Sequence, residues 1–212
     1  MSRGRFITLE GIEGAGKSTV ARQVCDWLVA RGIPVRATRE PGGTPLAERV
    51  RQVVLERGAE AVSGTAETLL MFAARSIHVD NLIGPALSRG EWVVCDRFTD
   101  ATRAYQGYGR GIDLAWIEQL AAAVQGTVHP DCTLLLDLPV AAGLARARSR
   151  SGQAADRFEA ETEAFFGRVR EGYLAIARQD PRRVRVIDAG APLDSVTKQV
   201  TRVLERLLER VS

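Results

Sequence analysis

Cysteine is scarce: Cys25, Cys95 and Cys132 are the three in 212 residues. They stand far apart with no CxxC pair, so neither a disulfide framework nor a thiolate metal site is read from them. That usage fits a reducing, cytoplasmic setting. Long hydrophobic runs are missing too. No apolar stretch reaches the roughly 18 residues that a membrane-crossing helix needs, so no membrane partner is expected. The opening MSRGRFITLEG runs straight into motif residues and leaves no room for a secretory leader. Neither sign of charge dominates: the formal net charge is +3, small for a protein that depends on nucleic acid. Lysine is nearly absent, since 27 of the 29 basic residues are arginine. Lys17 and Lys198 therefore stand out. No repeat, low-complexity tract or Pro/Gly/Ser linker is seen, so one domain over residues 1–212 is expected. His78 and His129 lack ligand spacing and read as surface or helix residues.

The composition that remains is globular, with 45% hydrophobic and 26% charged residues, which excludes disorder. Five short apolar runs read as strands: Phe6–Leu9, Val35–Thr38, Trp92–Cys95, Thr133–Leu136 and Val184–Ile187. They are continuous, as in a parallel sheet covered on both faces. Helical periodicity fills the gaps at Lys17–Arg31, Pro45–Arg57, Glu67–Arg89, Leu114–Val124, Val140–Arg150, Glu161–Arg178 and Leu193–Val211. The alternation predicts a doubly wound α/β fold. Ligands then bind beyond the carboxyl ends of the strands. Those ends read Glu10-Gly11, Arg39-Glu40, Asp96-Arg97, Asp137 and Asp188.

Gly11-Ile12-Glu13-Gly14-Ala15-Gly16-Lys17-Ser18 matches GxxxxGK[ST] between a strand and a helix, the context this motif requires. Its glycines let successive N–H groups face one anion, and the helix N-terminus adds partial positive charge. Lys17 is expected at the β- and γ-phosphates and the Ser18 hydroxyl on Mg²⁺. Gly11 and Glu13 through Thr19, with Arg146, form the predicted ATP site. Such a loop specifies a nucleotide rather than a reaction. A guanine-specifying NKxD is absent, and a second motor core does not fit the length. A small kinase leads; a slow ATPase-type regulator is the alternative class.

Further motifs narrow the choice. Arg39-Glu40-Pro41-Gly42-Gly43-Thr44 follows the second strand. Asp96-Arg97-Phe98 follows the third, with Ala104-Tyr105-Gln106-Gly107 close behind. With GIEGAGKS, this set closely resembles the bacterial thymidylate kinases, from Phe6 to the C-terminal helix. The resemblance implies a five-stranded parallel sheet wrapped by helices, a P-loop NTPase fold, and usually a homodimer. It implies transfer of the ATP γ-phosphoryl to dTMP, giving dTDP and ADP in dTTP synthesis. Another nucleoside monophosphate kinase is the alternative within the class.

By this resemblance Arg97 holds the dTMP phosphate and Asp96 helps hold Mg²⁺. A guanidinium suits the first task because it grips phosphate with two parallel hydrogen bonds. Glu13 approaches the sugar hydroxyl, and Tyr105 disfavours a ribose 2′-OH. Glu40 shapes the acceptor loop, and Arg51 reaches the monophosphate site. Arg75, Thr102 and Gln106 are expected to read the base. Thr102 and Gln106 are four apart and share a helical face, and Gln106 offers a donor and an acceptor. One departure concerns the stacking Phe of the family. Met71 occupies that position here, and Phe72 follows it about 100° round the helix. Ala101 replaces a frequent Ser beside Thr102.

Arg146, Arg148, Arg150 and Arg157 flank the small, polar Ser151-Gly152-Gln153-Ala154-Ala155. This reads as a lid at about 146–158 that closes over ATP and excludes water. Relatives with Gly at the Gly14 position take a lid arginine to the transferring phosphoryl, which points to Arg150 or Arg157. Ala189-Gly190-Ala191-Pro192 is expected against adenine.

Overall fold

A computed structural model describes residues 3–56, 60–150, 157–158 and 161–209, with the Arg150 side chain left out. Strands β1 (Phe6–Glu10), β2 (Val35–Arg39), β3 (Trp92–Asp96), β4 (Cys132–Asp137) and β5 (Val184–Asp188) form one sheet, ordered β2-β3-β1-β4-β5. Every pairing is parallel, as the strand–helix alternation predicts. Each strand contains its predicted run and extends by a residue or two into the polar ends.

Alternation along each strand sends side chains to opposite faces. Ile7, Leu9, Leu134 and Leu136 meet Val20, Val24 and Leu28 of α1 (Lys17–Val29) and Val200 and Leu204 of α9 (Leu193–Glu209). On the other face Leu135 and Val184 meet Phe165, Phe166 and Val169 of α8 (Glu163–Gln179). Each such buried side chain contributes about 1.5–3 kcal/mol relative to exposure. The continuous-burial expectation holds for β1, β3 and β4. It fails at the edges, where β2 exposes Arg36 and β5 leaves Val186 half uncovered. An edge strand has one neighbour and less cover, and charge there opposes edge-to-edge pairing.

Helix α2 (Pro45–Leu55) starts at a Thr44 cap, whose hydroxyl accepts from the Ala47 amide. The predicted helix Glu67–Arg89 is three pieces. Helix α3 (Gly64–His78) starts earlier because Ser63 caps it, accepting from the Ala66 amide. A π-helical stretch, Val79–Ile83, then leads into α4 (Gly84–Ser88). Pro85 cannot donate, and the Gly84 amide reaches back to the Val79 carbonyl, which widens the turn. A second wide turn was not predicted. Helix α5 (Thr99–Thr102) passes into π-helix over Arg103–Gly109. The Arg110 amide closes it on the Tyr105 carbonyl at 2.9 Å. Then come α6 (Leu114–Gln125) and α7 (Val140–Arg150). Among the described residues no helix is long and apolar enough to cross a membrane.

Candidate active site

The loop between β1 and α1 is built from backbone. Gly14 and Gly16 adopt φ of 76° and 91°, which glycine takes at little cost. A Cβ at Gly14 would collide with the Gly143 carbonyl of α7, so no larger residue fits there. Lys17 opens α1, and its Nζ donates to the Gly11 and Ile12 carbonyls at 3.1 and 3.0 Å. Burial, and next the Arg97 guanidinium, pull its pKa down to about 8. A cation held this way gains most when polyphosphate arrives. Ser18 donates weakly to Asp96 Oδ2 at 3.4 Å. Asp96 Oδ1 is buried with no hydrogen-bond partner among the described residues. Two hard oxygens, one of them unsatisfied, fit Mg²⁺, which takes few protein ligands and keeps water and phosphate. Ala15 is buried behind the loop, and Thr19 is exposed in the first turn of α1.

Arg97 is the joint between two cavities. Lys17, Ser18 and Asp96 line one; Met71, Arg75, Thr102, Tyr105 and Gln106 line the other. Glu13, Glu40, Arg51 and Arg97 line both. Arg97 is the non-glycine residue with left-handed backbone among those described, at φ 71°. Such strain persists where surroundings over-determine it. Its amide donates to the Leu9 carbonyl at 2.9 Å. Its guanidinium donates to the Gly11 carbonyl, the Tyr173 hydroxyl and Glu13 Oε1 at 3.0, 3.1 and 2.8 Å. The Tyr105 hydroxyl donates to the other Glu13 oxygen at 2.7 Å. Glu13 is thus neutralised by the pocket rather than left facing triphosphate.

The second cavity gathers nine of the ten residues expected at the acceptor. Phe72 is the exception. Its ring packs on Ile117 and Ala121 and backs the Arg75 guanidinium at 4.9 Å, because it points to the far side of α3 while Met71 faces the cavity. Arg75 is 2% exposed. Its Nε donates to Glu40 at 2.7 Å and its Nη2 to the Thr102 hydroxyl at 3.1 Å. Its Nη1 is buried without a partner among the described residues. Arg51 donates to the Pro41 carbonyl at 2.9 Å, across the cis Glu40–Pro41 peptide.

The lid arginines separate. Arg146 donates to the Ala189 carbonyl at 3.1 Å, which places it on the loop expected near adenine. The Arg150 side chain and residues 151–156 lie outside the described residues. Arg157 is not at the phosphate loop. Its Nε donates to the Val54 carbonyl at 3.0 Å, and its Nη2 pairs with Glu67 at 2.9 Å without a directed hydrogen bond. A buried carboxylate on α3 holds it beside Phe158, whose ring lines the second cavity.

Several residues escaped the sequence reading. His78 is fully buried; its ring bridges Glu40 at 3.0 Å and Thr38 at 2.7 Å, and so supports the carboxylate that holds Arg75. Glu10 accepts from the Phe98 amide at 2.7 Å and from the Tyr173 hydroxyl at 2.9 Å. Burial, and next Asp100, raise its pKa to about 8. Its position at a strand end was the available signal. Arg39, expected with Glu40 to shape the acceptor loop, lines the phosphate cavity and is ion-paired with Glu48 at 3.0 Å. Glu67 and Tyr173 carry no signal in one sequence, since both sit at ordinary helix positions.

A phosphate loop joined through one arginine to a second, side-chain-lined pocket defines a class: a P-loop phosphotransferase that seats donor and acceptor side by side. Residues 9–200 match the family model described as Thymidylate kinase. The chain belongs to the thymidylate kinase family. It is 54% identical over 210 residues to the thymidylate kinase of Alkalilimnicola ehrlichii, covering 99% of this chain and 96% of that one. It is 57% identical over 209 residues to that of Chromohalobacter salexigens, with 98% of both covered. The crystal structure of thymidylate kinase from Ehrlichia chaffeensis superposes with a TM-score of 0.77 at 36% identity, covering 95% of this chain and 99% of that chain.

Proposed function

We propose that this chain transfers the γ-phosphoryl group of ATP to dTMP, giving dTDP and ADP in dTTP synthesis. The carrying observation is the junction: Arg97 lines both cavities, so one guanidinium faces the acceptor phosphate beside the donor loop. An oxygen of the dTMP phosphate attacks the γ-phosphorus, the bond to the bridging β-phosphate oxygen breaks, and ADP keeps that electron pair. The acceptor is already an anion, so no general base is required. Lys17 and Arg97 neutralise charge as it redistributes. Ser18 and Asp96 would hold Mg²⁺, which supplies further neutralisation of the phosphates. Gly11, Glu13 through Thr19 and Arg146 bind ATP. Glu13 and Tyr105 face the sugar, Glu40 and Arg51 shape the phosphate end, and Met71, Arg75, Thr102 and Gln106 meet the base. Phe72 acts from behind Arg75. Arg150 is the lid arginine left for the transferring group, with Arg157 anchoring the segment that follows.

The whole chain works as one kinase domain with a lid at about 146–158, in the cytoplasm, as a homodimer. The exposed apolar Leu46 and Val53 of α2 and Leu69 of α3 support the pairing; a monomer-only sedimentation profile would remove it. The activity is tested by coupled ADP release with ATP and Mg²⁺, offering dTMP, dUMP, UMP, CMP, AMP or no acceptor. Release is expected with dTMP, weaker with dUMP and lost with UMP. Release that ignores the acceptor overturns the reading.

A further inference from the structure

Glu67 lies in the first turn of α3 and is 1% exposed. A lone buried carboxylate is costly, yet this one is well partnered. Its Oε2 pairs with Arg157 at 2.9 Å and with Arg110 at 3.3 Å. Its Oε1 accepts from Gln106 Nε2 at 2.7 Å. A carboxylate flanked by two guanidiniums can only accept. Gln106 must therefore turn its NH₂ group to Glu67, and the group it keeps for the acceptor cavity is its carbonyl oxygen.

Arg75 contributes the complement. Its Nη1 is a buried donor with no partner among the described residues, in the same cavity. Beside the Thr102 hydroxyl, Arg75 and Gln106 thus offer one donor and one acceptor. That pair matches a pyrimidine with a carbonyl at C4 and an N–H at N3. It opposes cytosine, which has an amino group at C4 and a lone pair at N3. A reversed Gln106 would present its NH₂ group and match the cytosine N3 instead. We propose that Glu67 sets the base selectivity of this site, as a positioning residue that locks the Gln106 amide with its oxygen toward the ligand. Arg110 and Arg157 hold Glu67 in that role, so the segment following residues 151–156 is tied to base reading. The inference rests on the second cavity being the acceptor-nucleotide site.

The test compares kcat/KM for dTMP and dCMP in the wild type, Glu67→Gln and Glu67→Asp, with thermal melting of each. A site built to hydrogen-bond one edge rejects the mismatched one by about 10³-fold or more, and the wild type is expected to do so. Glu67→Gln can donate or accept and frees Gln106 to turn over. Its dTMP-to-dCMP ratio is expected to fall by at least about tenfold, and Glu67→Asp restores most of it. A purely structural Glu67 would slow both substrates together at an unchanged ratio, which overturns the proposal. A wild type with no dTMP turnover fails the acceptor reading itself and takes the proposal with it. If Glu67→Gln does not fold, a neutron structure of the wild type with dTMP decides. Gln106 amide deuterons on the Glu67 side support the proposal, and deuterons facing N3 overturn it.

Discussion

The two cavities that meet at Arg97 are built by different means. The phosphate side is a contiguous loop, Gly11 to Ser18, whose glycines and helix N-terminus present backbone to an anion. The second cavity is assembled from side chains in the loop after β2 and on α2, α3, α5 and the π-helical turn, several of them oriented by another side chain: Thr38 by way of His78 to Glu40 to Arg75, and Glu67 to Gln106. Backbone recognition tolerates change in side chains outside the loop. A relay transmits it, because a buried polar group left unpaired costs about 1–3 kcal/mol. Under the proposed function, chemistry common to all ATP users sits in the loop, and selectivity sits in the relays.

Lys17→Ala breaks the phosphate side most directly. Turnover is expected to fall by about 10²–10³-fold, the usual cost of removing one pre-organised donor. Its circular dichroism and dTMP binding should match the wild type. Near-normal turnover would show that the loop's backbone suffices alone. Arg97→Lys attacks the joint. A point charge replaces a planar fork, and kcat/KM for dTMP should fall by about 10²-fold, while ATP binding by calorimetry stays within about threefold. Equal losses for both ligands would mean that Arg97 serves the loop rather than the acceptor.

This contrast also explains what was legible beforehand. The five strands and the phosphate loop follow from local pattern, because an apolar run or a glycine spacing encodes its own structure. Lys17, Ser18, Asp96 and Arg97 were recoverable as residues at strand ends or in a contiguous motif. The π-helical turn at Arg103–Gly109 was not, because its wide geometry depends on tertiary packing against α8 rather than on propensity. Glu67, His78 and Tyr173 act through partners 38 or more residues away, beyond any local pattern. The resemblance places Arg157 among the lid arginines at the transferring phosphoryl, whereas in the structure it pairs with Glu67 on α3.

Glu10, buried against the Phe98 amide and the Tyr173 hydroxyl, gives a pH signature. Its native pKa of about 8 exceeds the unfolded 4.5, so the native state holds a proton that the unfolded chain releases. Stability contributed this way is full below pH about 4.5 and lost as pH rises toward about 8, by an amount on the order of a few kcal/mol. Glu10→Gln mimics the protonated form. Urea midpoints of wild type and variant should diverge between pH 5 and 8, with the wild type falling. Parallel curves would mean that Glu10 titrates normally.

Lys17 gives the reverse signature, in binding. Free, its pKa is about 8; polyphosphate favours the cation and raises it. Above pH 8, ATP binding must take up a proton, so affinity should fall by up to about tenfold per pH unit. Lys17→Arg should flatten the profile, and calorimetry in buffers of different ionisation enthalpy should register the uptake. A dissociation constant that is flat from pH 7 to 9.5 would restore an ordinary lysine to the loop.

The smallest effect sharpens the acceptor side. Met71 lines the second cavity, where the proposed function seats the base, with Leu55 and Phe158 also in its lining. A thioether gains about 0.3–1.5 kcal/mol against an aromatic face, and a stacked ring about 1–3 kcal/mol. Met71→Phe should therefore lower KM for dTMP by a few-fold and leave kcat unchanged, since a base contact distant from the phosphorus binds ground state and transition state alike. A raised KM would show that a ring has no room against Leu55 and Phe158, and that methionine is the residue this pocket is packed to take.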